Sequence, residues 1–172
     1  KLTGEYLAKF AVERYGLDCK IYRPFGGYGE DQSFDYPFPS IIKRIVNGEN
    51  PVTVWGSGDQ ERDFIHIDDI VSAVLTTIPL MKSGDVLNLG TGRALSFRQL
   101  ALIAADQLGI KIKVVNDSSK PEGVFSRVAG IQKLLQYWQP TISVEEGIRR
   151  VAKALAVQSF GSAGLDGRKG LP

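Results

Sequence analysis

Glycine punctuates this chain so often that few periodic segments run beyond about a dozen residues, which confines it to short strands and short helices taken in turn. Gly16, Gly48 and Gly109 each stand where a helical run of apolar residues stops, the usual place for a residue that tolerates a left-handed backbone. Gly56 and Gly58, then Gly90 and Gly92, break apolar runs of strand length instead. Apolar spacing predicts helices over 2–15, 40–47, 68–80, 97–108 and 144–156, and extended segments over 19–23, 52–55, 63–67, 86–89, 112–115 and 124–129. Asp68 and Asp69 are expected to cap the third helix and favour its positive end. Ser96 with Gln99, and Ser143 with Glu146, have the spacing of capping boxes for the last two. Residues 24–39 are rich in glycine, proline and aromatics and are predicted to form a long irregular loop, a kind of segment that often carries function. Strands and helices alternating at this spacing imply an α/β domain with parallel or mixed pairing over 1–156, followed by a disordered tail over 157–172.

Composition narrows the partners. The formal charge of +2 arises from 21 basic and 19 acidic residues scattered along 172 positions, so there is no basic stripe of the kind that tracks nucleic acid, and any bound anion must be met locally. Cys19 is the only cysteine, which rules out an intramolecular disulfide and a cysteine-rich metal site; no metal is expected, and a reducing, cytoplasmic setting is. No apolar run approaches the roughly 18 residues needed to cross a bilayer, so no membrane partner is expected. The only methionine is Met81, and the sequence opens at Lys1 already in helical periodicity without a capping residue, so the chain is expected to be the later part of a longer product.

Three places could carry chemistry. Arg62 follows a glycine turn and precedes an apolar strand, where its planar donors can fork onto a phosphate or pair with Asp63 or Asp59. Lys120, in the polar segment Ser118-Ser119-Lys120-Pro121-Glu122-Gly123, and Arg127 beyond it are either solvated surface charges or cations that join Arg62 around a diphosphate, whose charge is costly to dehydrate without such partners. His66, the only histidine, lies between Ile65 and Ile67 and reads as a packed structural residue. The glycines of Gly90-Thr91-Gly92 are explained by a turn alone.

Taken in order, six segments resemble the extended short-chain dehydrogenase/reductase family, specifically its nucleotide-sugar epimerases and dehydratases. They are Lys1-Leu2-Thr3-Gly4-Glu5, Arg23-Pro24-Phe25-Gly26-Gly27-Tyr28-Gly29, Val54-Trp55-Gly56-Ser57-Gly58, Arg62-Asp63-Phe64-Ile65-His66-Ile67-Asp68-Asp69, Asn88-Leu89-Gly90-Thr91-Gly92, and Lys120-Pro121-Glu122-Gly123. The resemblance implies the C-terminal part of a Rossmann-type sheet plus a small α/β substrate-binding domain, with a nucleotide-sugar as substrate and NAD as cofactor. It makes Lys1 the lysine of the family's catalytic tyrosine–lysine pair, which holds the nicotinamide ribose and lowers the tyrosine pKa. The tyrosine would precede the first residue, and the glycine-rich dinucleotide fingerprint is also missing, so the chain alone is expected to be inactive.

By the same resemblance Arg62 would contact the diphosphate, Lys120 would help bind the nucleotide, and Arg127 would assist. Val54 and Trp55 would border the nucleobase, and Pro24 and Phe25 would pass the nicotinamide. Family members commonly dimerise through helices that include the 1–15 region, which implies a homodimer. Gly26 departs from the family, where asparagine is frequent, and Gly130 stands where aspartate is frequent. Segments around Val54 and Lys120 are similar to GDP-sugar members, and the base stays open. Two alternatives remain: a non-catalytic nucleotide-sugar binding module, and a reductase of the same fold acting on another carbonyl substrate, for which Arg62 and Lys120 would not matter.

Overall fold

A computed structural model describes residues 1–163. In chain order the elements are α1 (Leu2–Tyr15), β1 (Ile21–Pro24), β2 (Gly26–Tyr28), α2 (Pro37–Val46), β3 (Val52–Trp55), β4 (Glu61–Arg62), β5 (Phe64–His66), α3 (Ile67–Thr77), β6 (Val86–Leu89), β7 (Leu95–Ser96), α4 (Phe97–Gln107), β8 (Val114–Asp117), β9 (Ser126–Arg127), a single 3-10 turn at Leu134–Gln136, and α5 (Val144–Ala163). The strand pairs β1–β6, β3–β8 and β4–β9 are all parallel, as the α/β alternation predicts. The chain divides into two units, each assembled from separate stretches of sequence.

The first unit takes Lys1–Gly27, Glu61–Leu95 and Val124–Ile142. In β6 the buried residues alternate, so Leu87 and Leu89 turn inward with Ile65, Ala73, Met81 and Leu134, and Tyr22, Ile70 and Trp138 pack around them. The helix α3 is capped by His66, not by the aspartates after it: the wholly buried imidazole accepts at Nδ1 from the Asp68 N–H at 3.2 Å. Asp69 is buried instead, and its carboxylate accepts from the Thr141 N–H (3.0 Å), the Thr141 hydroxyl (2.7 Å) and the Ile142 N–H (2.9 Å), fastening the start of α3 to a distant loop. The helix α1 buries no residue; Gly16, at φ 65°, closes it, and an ion pair from Glu5 to Arg23 ties it to β1.

The second unit takes Tyr28–Gln60, Ser96–Gly123 and the described residues from Ser143 onward. Here α2, α4 and α5 pack on one another, and α2 and α4 also on β3, burying Phe38, Ile42, Ile45, Val52, Leu100 and Ile148. Tyr28 stacks on Phe38 with ring centroids 3.7 Å apart. Both halves of the predicted capping box form at Ser96 and Gln99, and Ser143 Oγ accepts from the Glu146 N–H at 3.1 Å.

Two expectations are corrected. Residues 24–39 are not wholly irregular: β2 lies inside them, and α2 starts at Pro37. Proline suits a helix start, because the first-turn N–H groups have no acceptor within the helix. The last helix continues past 156 to Ala163, with no proline in that stretch to break it. The remainder of the expected tail, 164–172, lies outside the described residues.

Candidate functional site

Arg62 owes its position to a two-residue parallel strand. In β4 it is directly opposite Arg127 of β9, and the flanking bonds, Glu61 N–H to the Phe125 carbonyl (2.6 Å) and Asp63 N–H to the Arg127 carbonyl (3.2 Å), fix that register. Opposite residues of a parallel pair share a face, so two guanidinium groups emerge side by side from strands about 4.8 Å apart. The Arg62 guanidinium donates from Nη1 to the carbonyls of Glu61 (2.6 Å) and Val124 (2.8 Å), which sets its direction. Burial pushes the Arg62 guanidinium below its ordinary value, and the charge of Arg127 pushes it further the same way. The local field is therefore of the sign an anion seeks.

Asp63 does not serve Arg62 as the simple ion-pair partner that its adjacency suggested. Its side chain is 0% exposed. Oδ1 accepts from the Thr91 N–H (2.8 Å) and hydroxyl (2.7 Å), and Oδ2 from the N–H groups of Gly92 (2.8 Å) and Ala129 (3.1 Å). Gly90 is glycine because a Cβ there would stand 2.5 Å from the Ala129 Cβ and 2.6 Å from Asp63 Oδ2. The Gly90-Thr91-Gly92 turn is thus a cradle for this carboxylate. Asp59, the other suggested partner, lies 3.6 Å from Arg98.

Pro24 and Lys1 share an open groove of about 650 Å³ whose walls also include Glu5, Tyr22 and Arg23. Arg23 donates to both Glu5 carboxylate oxygens, from Nε and Nη2, and keeps its carboxyl below the usual glutamate range. Glu5 is one helical turn beyond Lys1, so the pair fixes the rotation of α1 that puts Lys1 on the groove. Phe25 follows, its N–H donating to the Leu89 carbonyl at 2.9 Å. At Gly26 a Cβ would be 2.5 Å from the Asp63 carbonyl oxygen, so an asparagine does not fit on this backbone.

In the second unit Lys120 and Trp55 come together. The ammonium lies 5.8 Å from the Trp55 ring centroid, and the indole is 59% exposed. Trp55 is opposite Asp117 in the β3–β8 pair, Ser119 donates to the Asp117 carboxylate, and Ser57 hydrogen-bonds Glu122, so the loop bearing Lys120 is tied down on both sides. The hydroxyl of Ser119, with its backbone N–H, draws the Asp117 carboxyl below its ordinary value. The Val54 side chain is buried, because alternate residues of β3 turn to opposite faces, while that of Trp55 is exposed.

Residues 1–90 match the NAD dependent epimerase/dehydratase family. The chain belongs to that family. It is 30% identical over 169 residues to the GDP-L-fucose synthase of Escherichia coli, covering 86% of this chain and 52% of that protein. It is 33% identical over 154 residues to the UDP-glucuronate 4-epimerase of Thermodesulfobacterium geofontis, covering 87% of this chain and 47% of the relative. Among solved structures, the UDP-glucuronic acid 4-epimerase of Bacillus cereus, in complex with UDP-glucuronic acid and NAD, aligns with a TM-score of 0.79 at 28% identity, over 92% of this chain and 51% of that one. The chain thus spans about half the length of the curated relatives it matches. These relatives carry sugars on different nucleotides, so membership alone does not select a base.

Sequence reasoning picked out Arg62 and Arg127 but not what sets their spacing. The one local signal for the Asp63 cradle was the pair of glycines around Thr91, which a turn explains equally well.

Proposed function

We propose that this chain supplies the substrate-binding portion of an NAD-dependent nucleotide-sugar epimerase or dehydratase. The observation that carries the reading is the Arg62 and Arg127 pair, two arginines in register on one face, with Arg62 held below its ordinary basicity first by burial and then by the charge of Arg127. Like charges directly opposite each other are destabilising, and a diphosphate offers each guanidinium its own set of oxygens. Arg62, directed by its bonds to two carbonyls, meets the phosphate and Arg127 assists. Trp55 offers a flat face to a nucleobase and Lys120 a cation to the nucleotide.

The cofactor-facing residues are Lys1, Pro24 and Phe25. Lys1 and Pro24 line one groove, as expected of residues that meet a nicotinamide ribose. Bound NAD supplies a transient hydride acceptor for the sugar carbon in the whole enzyme. In that setting Lys1 holds the ribose hydroxyls and favours the phenolate form of a neighbouring tyrosine. The exposed apolar residues Leu2, Tyr6, Leu7 and Phe10 of α1 are the proposed contact for a second copy.

The test is calorimetric titration of UDP-glucuronic acid and of a GDP-sugar onto the protein and its Arg62→Ala variant. Loss of a charge-assisted contact weakens binding by about 2 kcal/mol, roughly 30-fold. Equal affinity of the two proteins removes Arg62 from the site.

A further inference from the structure

We propose that Asp63 is a positioning residue: its buried carboxylate sets the Arg62 and Arg127 guanidinium groups at the spacing a diphosphate requires. The inference rests on the nucleotide-sugar reading above. Every polar atom of Asp63 is used, and together they reach three stretches of the first unit, at Gly26, at Thr91 and Gly92, and at Arg127 and Ala129. The N–H donates to the Arg127 carbonyl at 3.2 Å and the carbonyl accepts from the Gly26 N–H at 2.8 Å. Oδ1 takes both donors of Thr91, and Oδ2 takes the N–H groups of Gly92 and Ala129. Asp63 follows Arg62 directly, and Ala129 is two residues beyond Arg127, so one carboxylate holds both arginine-bearing segments from beneath. The Asp63 main-chain carbonyl, through its bond from the Gly26 N–H, fixes the backbone that follows Pro24 and Phe25.

With two residues per strand, the β4–β9 ladder is too short to define that spacing alone. A shared acceptor with four donors is a stiffer constraint, because moving either segment strands a buried N–H. The close approach at Gly26 and Gly90, where no Cβ fits against Asp63, shows how tightly the surrounding backbone is drawn around it. A residue that only stabilised the fold could sit anywhere in the unit. Asp63 instead connects the two proposed diphosphate ligands with each other and with the proposed cofactor-side segment.

The experiment is calorimetric titration of inorganic pyrophosphate onto the protein and four variants. Asp63→Asn is expected to weaken pyrophosphate at least tenfold while the far-ultraviolet circular dichroism at the assay temperature stays native. Thr91→Val removes one of the four bonds, keeps the side-chain shape, and is expected to weaken it about threefold; should Asp63→Asn fail to fold, this variant decides. Gly147→Ala, which disturbs the other unit, is expected to bind like the unmodified protein, which separates positioning from general loss of stability. Arg62→Ala reports on the site itself. The proposal is overturned if Arg62→Ala weakens binding while Asp63→Asn and Thr91→Val do not. It is equally overturned if Gly147→Ala weakens binding as much as Asp63→Asn. An unmodified protein that binds no pyrophosphate refutes the reading beneath the proposal, and the proposal with it.

Discussion

Replacing Asp63 by asparagine tests the energetics of the buried carboxylate on the stability of the fold, independently of any ligand. The amide has one acceptor oxygen where the carboxylate has two. Placed with its oxygen toward Gly92 and Ala129, it keeps both of those bonds, now neutral, and its NH₂ can donate to the Thr91 hydroxyl, which reverses its own role. The Thr91 N–H is then left facing a donor. One stranded buried N–H costs about 1–3 kcal/mol, and weakening two charge-assisted bonds to neutral ones adds roughly 1 kcal/mol each. An amide is easier to dehydrate than a carboxylate, which brings the net loss to the lower part of that range, about 3 kcal/mol. With a urea slope of roughly 2 kcal/mol per molar, the unfolding midpoint falls by about 1.5 M. Asp63→Ala strands three N–H groups and must cost more than Asp63→Asn. A midpoint for Asp63→Asn within about 0.3 M of the unmodified protein would refute the reasoning, as would equal losses for the two variants.

Two further outcomes follow from the packing and the ion pairs. Gly147→Ala in α5 should gain about 1 kcal/mol from helix propensity, yet the new methyl would overlap the buried Tyr28 ring and hydroxyl, so thermal denaturation is expected to show a net loss of about 1–2 kcal/mol; a raised melting temperature would contradict this. The Glu5 carboxyl is held below its ordinary value first by the hydrogen bond from Arg23, so the attachment of α1 is complete above the ordinary glutamate value and is lost as pH falls through the lower folded value. Hydrogen exchange of α1 amides should therefore quicken on acidification through that window. Glu5→Gln should remove the acid-dependent step, and an unchanged profile in that variant would sink the assignment.

What the sequence shows of this fold is what short-range chemistry decides. Gly16 ends α1 because the next turn needs a left-handed backbone, Ser96 and Gln99 begin α4 by capping each other, and the apolar run at Val52–Trp55 has nowhere to go but a strand. The misplacements are long-range. Gly26–Tyr28 looks like loop in isolation and becomes extended where the Gly26 N–H finds the Asp63 carbonyl, 37 residues away. The period of two in β3, by contrast, is legible, and it buries Val54 while exposing Trp55. Arg62 was legible as a charged residue beside a glycine turn. That Asp63 would turn away from it, toward donors 28 and 66 positions later, has no local signature.

The most direct measurement for the central claim is a crystal structure of the protein with UDP or GDP bound. A diphosphate oxygen within about 3 Å of an Arg62 guanidinium nitrogen, with Arg127 on the same phosphates, is the predicted result. A nucleotide bound with its diphosphate away from both arginines would contradict the account.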